Sequence, residues 1–314
     1  MTTVTETGRP AGPPPDDQGA KRVGRVRSRI TPYLAIFPGG IWLLAFFIIP
    51  MLIMLSLSLQ QGDVINGFQM TWHFQTYADA ISNYKDQMIR SLEYGLISTI
   101  LQILIAYPVA YWIAFRGGAR KTVYLFLLLL PFFVSFVLRT QAWQFMLRDN
   151  GFIVSPMRQM HIGGWFPFGE NFHILATTPA VIGGLTYNYL PFMVLPIYVA
   201  LERVDPRQIE AAYDLYASRF AAFRRVIFPL SLPGIFAGVV ITFVPVSSDY
   251  VNAHILGGTR NTMIGNSIQN LYLVSQDYPT ASALAFILMA ALLIGIFLYA
   301  RALGTEDVLE ATAR

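Results

Sequence analysis

Six stretches of mostly apolar residues divide this chain, each about the length that crosses a bilayer. A span needs about 20 such residues, rising 1.5 Å each, to cross roughly 30 Å of hydrocarbon. The stretches fall at about 36–59, 92–115, 121–146, 176–201, 227–248 and 280–303. Pro50, Pro108, Pro131, Pro179, Pro191, Pro196 and Pro245 lie within them. Prolines are tolerated in such helices where neighbours re-satisfy the freed carbonyls, so the pattern predicts a bundle of bent helices. Connections at about 60–91, 147–175 and 249–279 are longer and are read as loops, with aromatics such as Trp72 and Trp165-Phe166-Pro167. Residues 1–30 are rich in Pro, Gly and charge and read as a disordered tail. The apolar stretch that follows is too long for the core of a cleavable signal peptide.

The connection at 202–226 has a different pattern. Asp205-Pro206 marks a helix start, with an acid at the cap, Pro at the first helical position and Gln208 three residues after the cap. Ile209, Tyr213, Tyr216, Phe220 and Phe223 then recur at helical steps and form one apolar stripe. Glu210, Asp214, Arg219, Arg224 and Arg225 lie off it. Pro229 and Pro233-Gly234 are expected to break the segment before the next span. An amphipathic helix between two spans suits docking to a partner. The alternative is a helix lying on the membrane, where Glu210 and Asp214 would be out of place against anionic lipid.

Composition supports the membrane reading. Of the 314 residues 54% are apolar and 13% charged, against about 25% charge in soluble domains. Sixteen of the 22 Lys and Arg residues fall in the N-terminal tail, the connections at 116–121 and 202–226, and the C-terminal end. By the positive-inside rule both termini and the 202–226 connection are expected in the cytoplasm. The net charge of +4 reflects these flanks, and no basic patch interleaved with aromatics points to nucleic acid.

The chain has no cysteine, which excludes thiol chemistry and disulfides. His73, His161, His173 and His254 are scattered, so no metal site is expected. No GxxxxGK[ST] loop is present, and Gly117-Gly118 before Arg120 and Lys121 is a basic turn. If the protein works against a gradient using ATP, the nucleotide sits on another chain. With no serine in a GxSxG setting and no His–carboxylate pair, an enzyme is not expected.

The charged connection also carries a resemblance. Glu210-Ala211-Ala212, Asp214-Leu215, Ala217-Ser218, Phe223, Pro229-Leu230 and Pro233-Gly234-Ile235 resemble the EAA motif of ABC importer permeases. Asn188-Tyr189-Leu190-Pro191, Phe243-Val244-Pro245, Asp249-Tyr250-Val251, Leu256-Gly257-Gly258 and Asp277-Tyr278-Pro279 are similar to the spermidine/putrescine importer permeases. Arg139-Thr140 and Asn150-Gly151 fit the same subfamily. The likeness covers about 36–303. It implies an all-α, six-helix type I ABC importer permease in the plasma membrane, with a permease domain over 31–314.

It also implies alternating access driven by partners: a second permease in a heterodimer, two ATPase subunits holding ATP and magnesium, and an extracytoplasmic substrate-binding protein. The ATPase-coupling residues would be Glu210, Ala211, Ala212, Asp214, Tyr216, Phe223, Pro229, Pro233 and Gly234. The family usually has Gly at the place of Tyr216, where it permits a left-handed turn between two short helices. Tyr takes that conformation at a cost, and the apolar stripe favours one helix continuing through Tyr216. Asp249 with Tyr250 could hold a polyamine by ion pairing and cation–π contact, or be an ordinary interfacial pair. Tyr187, Asn188 and Tyr189 could line the path or serve interhelical hydrogen bonds. Arg139 is read as structural, since a cation would repel a cationic substrate. Permeases for ferric iron or other organic cations share parts of this pattern. A secondary transporter would need intramembrane acids, of which the spans have almost none.

Overall fold

The computed structural model describes residues 37–159 and 173–302. The tail and Trp165-Phe166-Pro167 lie outside them. Two compact units divide the chain, Met1–Ser56 and Leu57–Arg314. In the first, the helix α1 (Phe37–Ser58 in full) is apolar on all sides, with a widened turn at Leu44–Ile48 just before Pro50. A helix of that composition suits a lipid environment rather than water.

The second unit opens with an antiparallel hairpin, β1 (Gln60–Asp63) and β2 (Gly67–Met70), with Gln60 opposite Met70. Asp63 closes its turn by accepting from the backbone N–H of Ile65 at 2.9 Å and of Asn66 at 2.6 Å. These bonds hold the Asp63 carboxyl below the usual carboxylate range. The 60–91 connection is therefore not simply a loop. After the hairpin, α2 runs from Gln75 to Arg116, 42 residues with a kink at Tyr84 (φ −118°, ψ 17°), and begins well before the apolar stretch. Hydropathy marks the part of a helix that needs lipid, not the part that forms hydrogen bonds, so the polar first turns escaped the pattern.

The stretch at 121–146 is not one straight span. Helix α3 (Gly118–Phe133) and α4 (Phe136–Leu147) meet at 87°, with Val134 extended between them just after Pro131. A short α5 (Val154–Gln159) follows. Helix α6 (Thr178–Glu202) is the fourth span, α7 (Pro206–Asp214) the first part of the connector, α8 (Arg219–Ser247) the fifth span and α11 (Tyr278–Ala302) the last. The 249–279 connection folds into α9 (Val251–Leu256) and α10 (Ile264–Asn270). By length and composition five helices can cross a membrane, or six if the bent pair counts as one.

Helices α2, α6 and α8 form the centre of the second unit. Ala106, Ala110 and Ala114 on α2 meet Met193, Ile197 and Leu201 of α6. Small residues let backbones approach where lipid supplies no hydrophobic drive. Gly234 does the same for α8. A Cβ there would lie 2.5 Å from Ala200 Cβ and 2.6 Å from the Pro196 carbonyl.

Candidate functional site

The connector is built from two capped helices. Asp205 caps α7 by accepting from the Arg207 N–H at 2.9 Å, as its position predicted. The helix does not continue through Tyr216. It ends at Asp214, and Tyr216 takes φ +60°. Ala217 N–H donates to the Ala212 carbonyl at 3.0 Å and Tyr216 N–H to the Tyr213 carbonyl at 2.9 Å. This pair of bonds is a Schellman motif, with tyrosine at the left-handed position that usually holds glycine. Ser218 then caps the next helix by accepting from Ala221 N–H at 3.2 Å.

The break splits the stripe. Ile209 and Phe223 pack against the α2–α6 core. Phe223 sits edge-on to Tyr107 and Tyr111, with ring centroids at 5.8 and 6.0 Å. Tyr213, Tyr216 and Phe220 turn outward instead, and Tyr216 is 98% exposed. Glu210, Ala211 and Asp214 are exposed beside them, while Ala212 is half-buried. Of the expected coupling residues, then, Phe223 and Gly234 face the bundle, Ala212 is half-buried, and Glu210, Ala211 and Asp214 on α7, with Tyr216 just after it, are exposed.

Pro229 and Pro233 do not interrupt the chain. Both lie inside α8, downstream of a widened turn at Phe223–Ile227 in which Phe228 N–H reaches back to the Phe223 carbonyl. A turn with one extra residue makes room where a proline lacks its N–H and its ring would strike the preceding turn.

The second group of expected residues meets at the far end of α8. Asn188, 1% exposed on α6, donates through Nδ2 to Asn252 Oδ1 at 2.9 Å and to Thr140 Oγ1 at 3.1 Å. Asp249 is 5% exposed. Its carboxylate accepts from Asn252 N–H at 2.6 Å, Asn252 Nδ2 at 3.2 Å and the Tyr189 hydroxyl at 3.1 Å. Asp249, Asn188 and Tyr189 therefore belong to one buried polar centre. Among the described residues Tyr187 makes no hydrogen bond to it; its ring packs on Trp143 at 5.4 Å. Tyr250 points away and lines a 770 Å³ cavity with Tyr84, Gln87, His254 and Asn266, which Asp249 does not line. Sequence reading missed Asn252 and Thr140. A helical step of three from Asp249 to Asn252 was the available signal, but Thr140 comes from a remote helix.

Helices long and apolar enough to cross a membrane, with an exposed two-helix connector at one end of the bundle and a buried polar centre at the other, fit a multi-pass membrane protein. Residues 94–303 match the family described as binding-protein-dependent transport system inner membrane component, and the chain belongs to it. It is 34% identical over 262 residues to the spermidine/putrescine transport system permease protein PotB of Haemophilus influenzae, covering 83% of this chain and 90% of that protein. To PotB of Escherichia coli it is 30% identical, covering 83% of this chain and 94% of the relative. A solved bacterial ABC transporter that imports alginate has a chain matching 90% of this one and 99% of its own length, with TM-score 0.65 and 20% identity. At that identity the likeness speaks for the fold.

Proposed function

We propose that this chain is the permease subunit of an ATP-driven importer for polyamines of the spermidine/putrescine type. The observation that carries the substrate class is the likeness to spermidine/putrescine permeases along nine-tenths of their length. The buried Asp249 beside Tyr189 supports it, because a carboxylate among aromatic rings favours an organic ammonium ion. In this reading Asp249, Tyr189 and Asn188 lie on the substrate path, with Tyr187 and Tyr250 at its borders.

The chain works with a second permease, two ATPase subunits that hold ATP and magnesium, and an extracytoplasmic binding protein. The exposed side of α7 and its closing turn — Glu210, Ala211, Asp214 and Tyr216 — enters a cleft on an ATPase from the cytoplasmic side. An apolar patch fills such a groove, and the flanking charges fix its register. Phe223, Pro229, Pro233 and Gly234 lie where α8 joins the connector to the bundle, so closure of the ATPases moves the spans as a body and opens the path alternately to each side.

The test is ATP hydrolysis by the reconstituted complex. Binding protein loaded with spermidine or putrescine should stimulate it. Stimulation by ferric iron or another organic cation, and not by polyamines, would move the permease to that substrate.

A further inference from the structure

The basic turn at 117–121 lies at the connector end of the bundle. Lys121 pairs there with Glu202, the last residue of α6, at 3.4 Å, and the Tyr198 hydroxyl donates to the same carboxylate at 2.6 Å. Arg116 and Arg120 are exposed, and among the described residues neither has a carboxylate within ion-pair distance. The one acid at this corner is thus already taken by Lys121 and Tyr198. Like charges crowded into one turn repel, which favours an anion supplied from outside the chain.

The surface that leads up to the two arginines is apolar. On α2, Leu101, Ile105, Pro108 and Trp112 are exposed and recur at steps of four, three and four, and Arg116 continues the series one turn on. On α3, Arg120 begins a second exposed series with Val123, Leu127 and Leu130, at steps of three, four and three. Each stripe ends in an arginine. Arg120 N–H donates to the Gly117 carbonyl at 3.0 Å and Gly118 takes φ +51°, so a tight corner joins the stripes at their charged ends. One turn in from the arginines, the rings of Trp112 and Tyr124 meet with centroids 4.8 Å apart. Tryptophan and tyrosine in such a setting mark the boundary between hydrocarbon and headgroups.

We propose that this corner binds the headgroup phosphate of an anionic phospholipid. The acyl chains lie along the two stripes, the rings of Trp112 and Tyr124 sit at the boundary level, and Arg116 and Arg120 donate to the phosphate oxygens. A guanidinium can give a phosphate two parallel N–H bonds and is more weakly hydrated than an ammonium, which suits a site at the edge of hydrocarbon. A zwitterionic lipid carries a cation beside its phosphate, which the crowded arginines oppose. A soluble phosphate has the charge but leaves both stripes unused. Lys121 follows Arg120 and its partner Glu202 ends α6, so the lipid occupies the corner that ties α3 to the start of the connector. The proposal needs these helices to lie in a membrane and is independent of the substrate carried.

The test uses the complete transport complex, purified in neutral detergent and titrated with dibrominated phosphatidylglycerol, whose bromines quench tryptophan emission on contact. Quenching should contain a saturable component, and Trp112→Phe should remove it. Arg116→Gln and Arg120→Gln should each raise the half-saturating concentration about fivefold. If one of these variants fails to assemble, the other decides by the same shift. Dibrominated phosphatidylcholine should not saturate over this range. Equal saturation by phosphatidylcholine, or a half-saturation unmoved by loss of either arginine, reduces the surface to ordinary lipid contact and overturns the proposal. So does the absence of a saturable Trp112 component, which places a protein subunit over the stripes. Glycerol phosphate in excess should not displace the lipid; displacement makes the corner a site for soluble phosphate and also overturns the proposal.

Discussion

Tyr216 holds a left-handed turn that costs an L-residue about 1–2 kcal/mol relative to the right-handed region. The motif that closes α7 needs this conformation, whatever residue occupies it. Tyr216→Gly should therefore leave the thermal unfolding midpoint of the purified permease unchanged or raised. ATP hydrolysis stimulated through the complex should fall, because the exposed ring is lost. A lowered midpoint would mean that the ring stabilises this chain rather than meeting a partner. The stripe misled at this position because a tyrosine fits an apolar stripe whether it ends up buried or exposed. Residue types placed Asp205 at its cap correctly, since a cap depends on neighbours one turn away.

At the scale of elements, the connector is joined to the bundle by close packing of α8 on α6. Gly234→Ala places a methyl group against Ala200 and the Pro196 carbonyl. Overpacking of this kind costs about 1–3 kcal/mol, so the unfolding midpoint in detergent should drop. An unchanged midpoint would show that the helices separate freely there. Phe223→Ala acts at the same joint by removing the ring seated among Tyr107, Tyr111 and Phe228. It should weaken coupling of ATP hydrolysis to uptake while the complex still assembles; loss of assembly would instead make Phe223 a contact to the ATPase. Of the prolines that looked like helix ends, Pro229 follows a widened turn and Pro233 sits within regular helix, which no local rule of proline placement reports.

Across the whole molecule, the charged connector and the polar centre lie at opposite ends of α8, whose 29 residues span the distance a bilayer requires. Reversing a charge at one end should leave the other end folded but uncoupled. Glu210→Arg should abolish both co-purification with the ATPases and uptake, without altering the helical content of the permease. Unchanged co-purification and uptake would rule out docking through this helix.

Apolar runs of membrane length, a sparse charge and the EAA-like residues were sufficient to read the class of protein, the apolar part of most of the long helices and the position of the connector along the chain. Each of these depends on local composition: burial in lipid requires it, and a cap or motif is written in adjacent residues. The break at Tyr216, the 87° bend after Pro131 and the company that Asp249 keeps were settled only by tertiary structure. The first two are local turns whose residue types fit more than one geometry, and the third joins remote segments. Thr140, Asn188 and Asn252 come from three helices separated by 48 and 64 residues, and nothing local to any one of them records that the other two would satisfy its buried polar atoms.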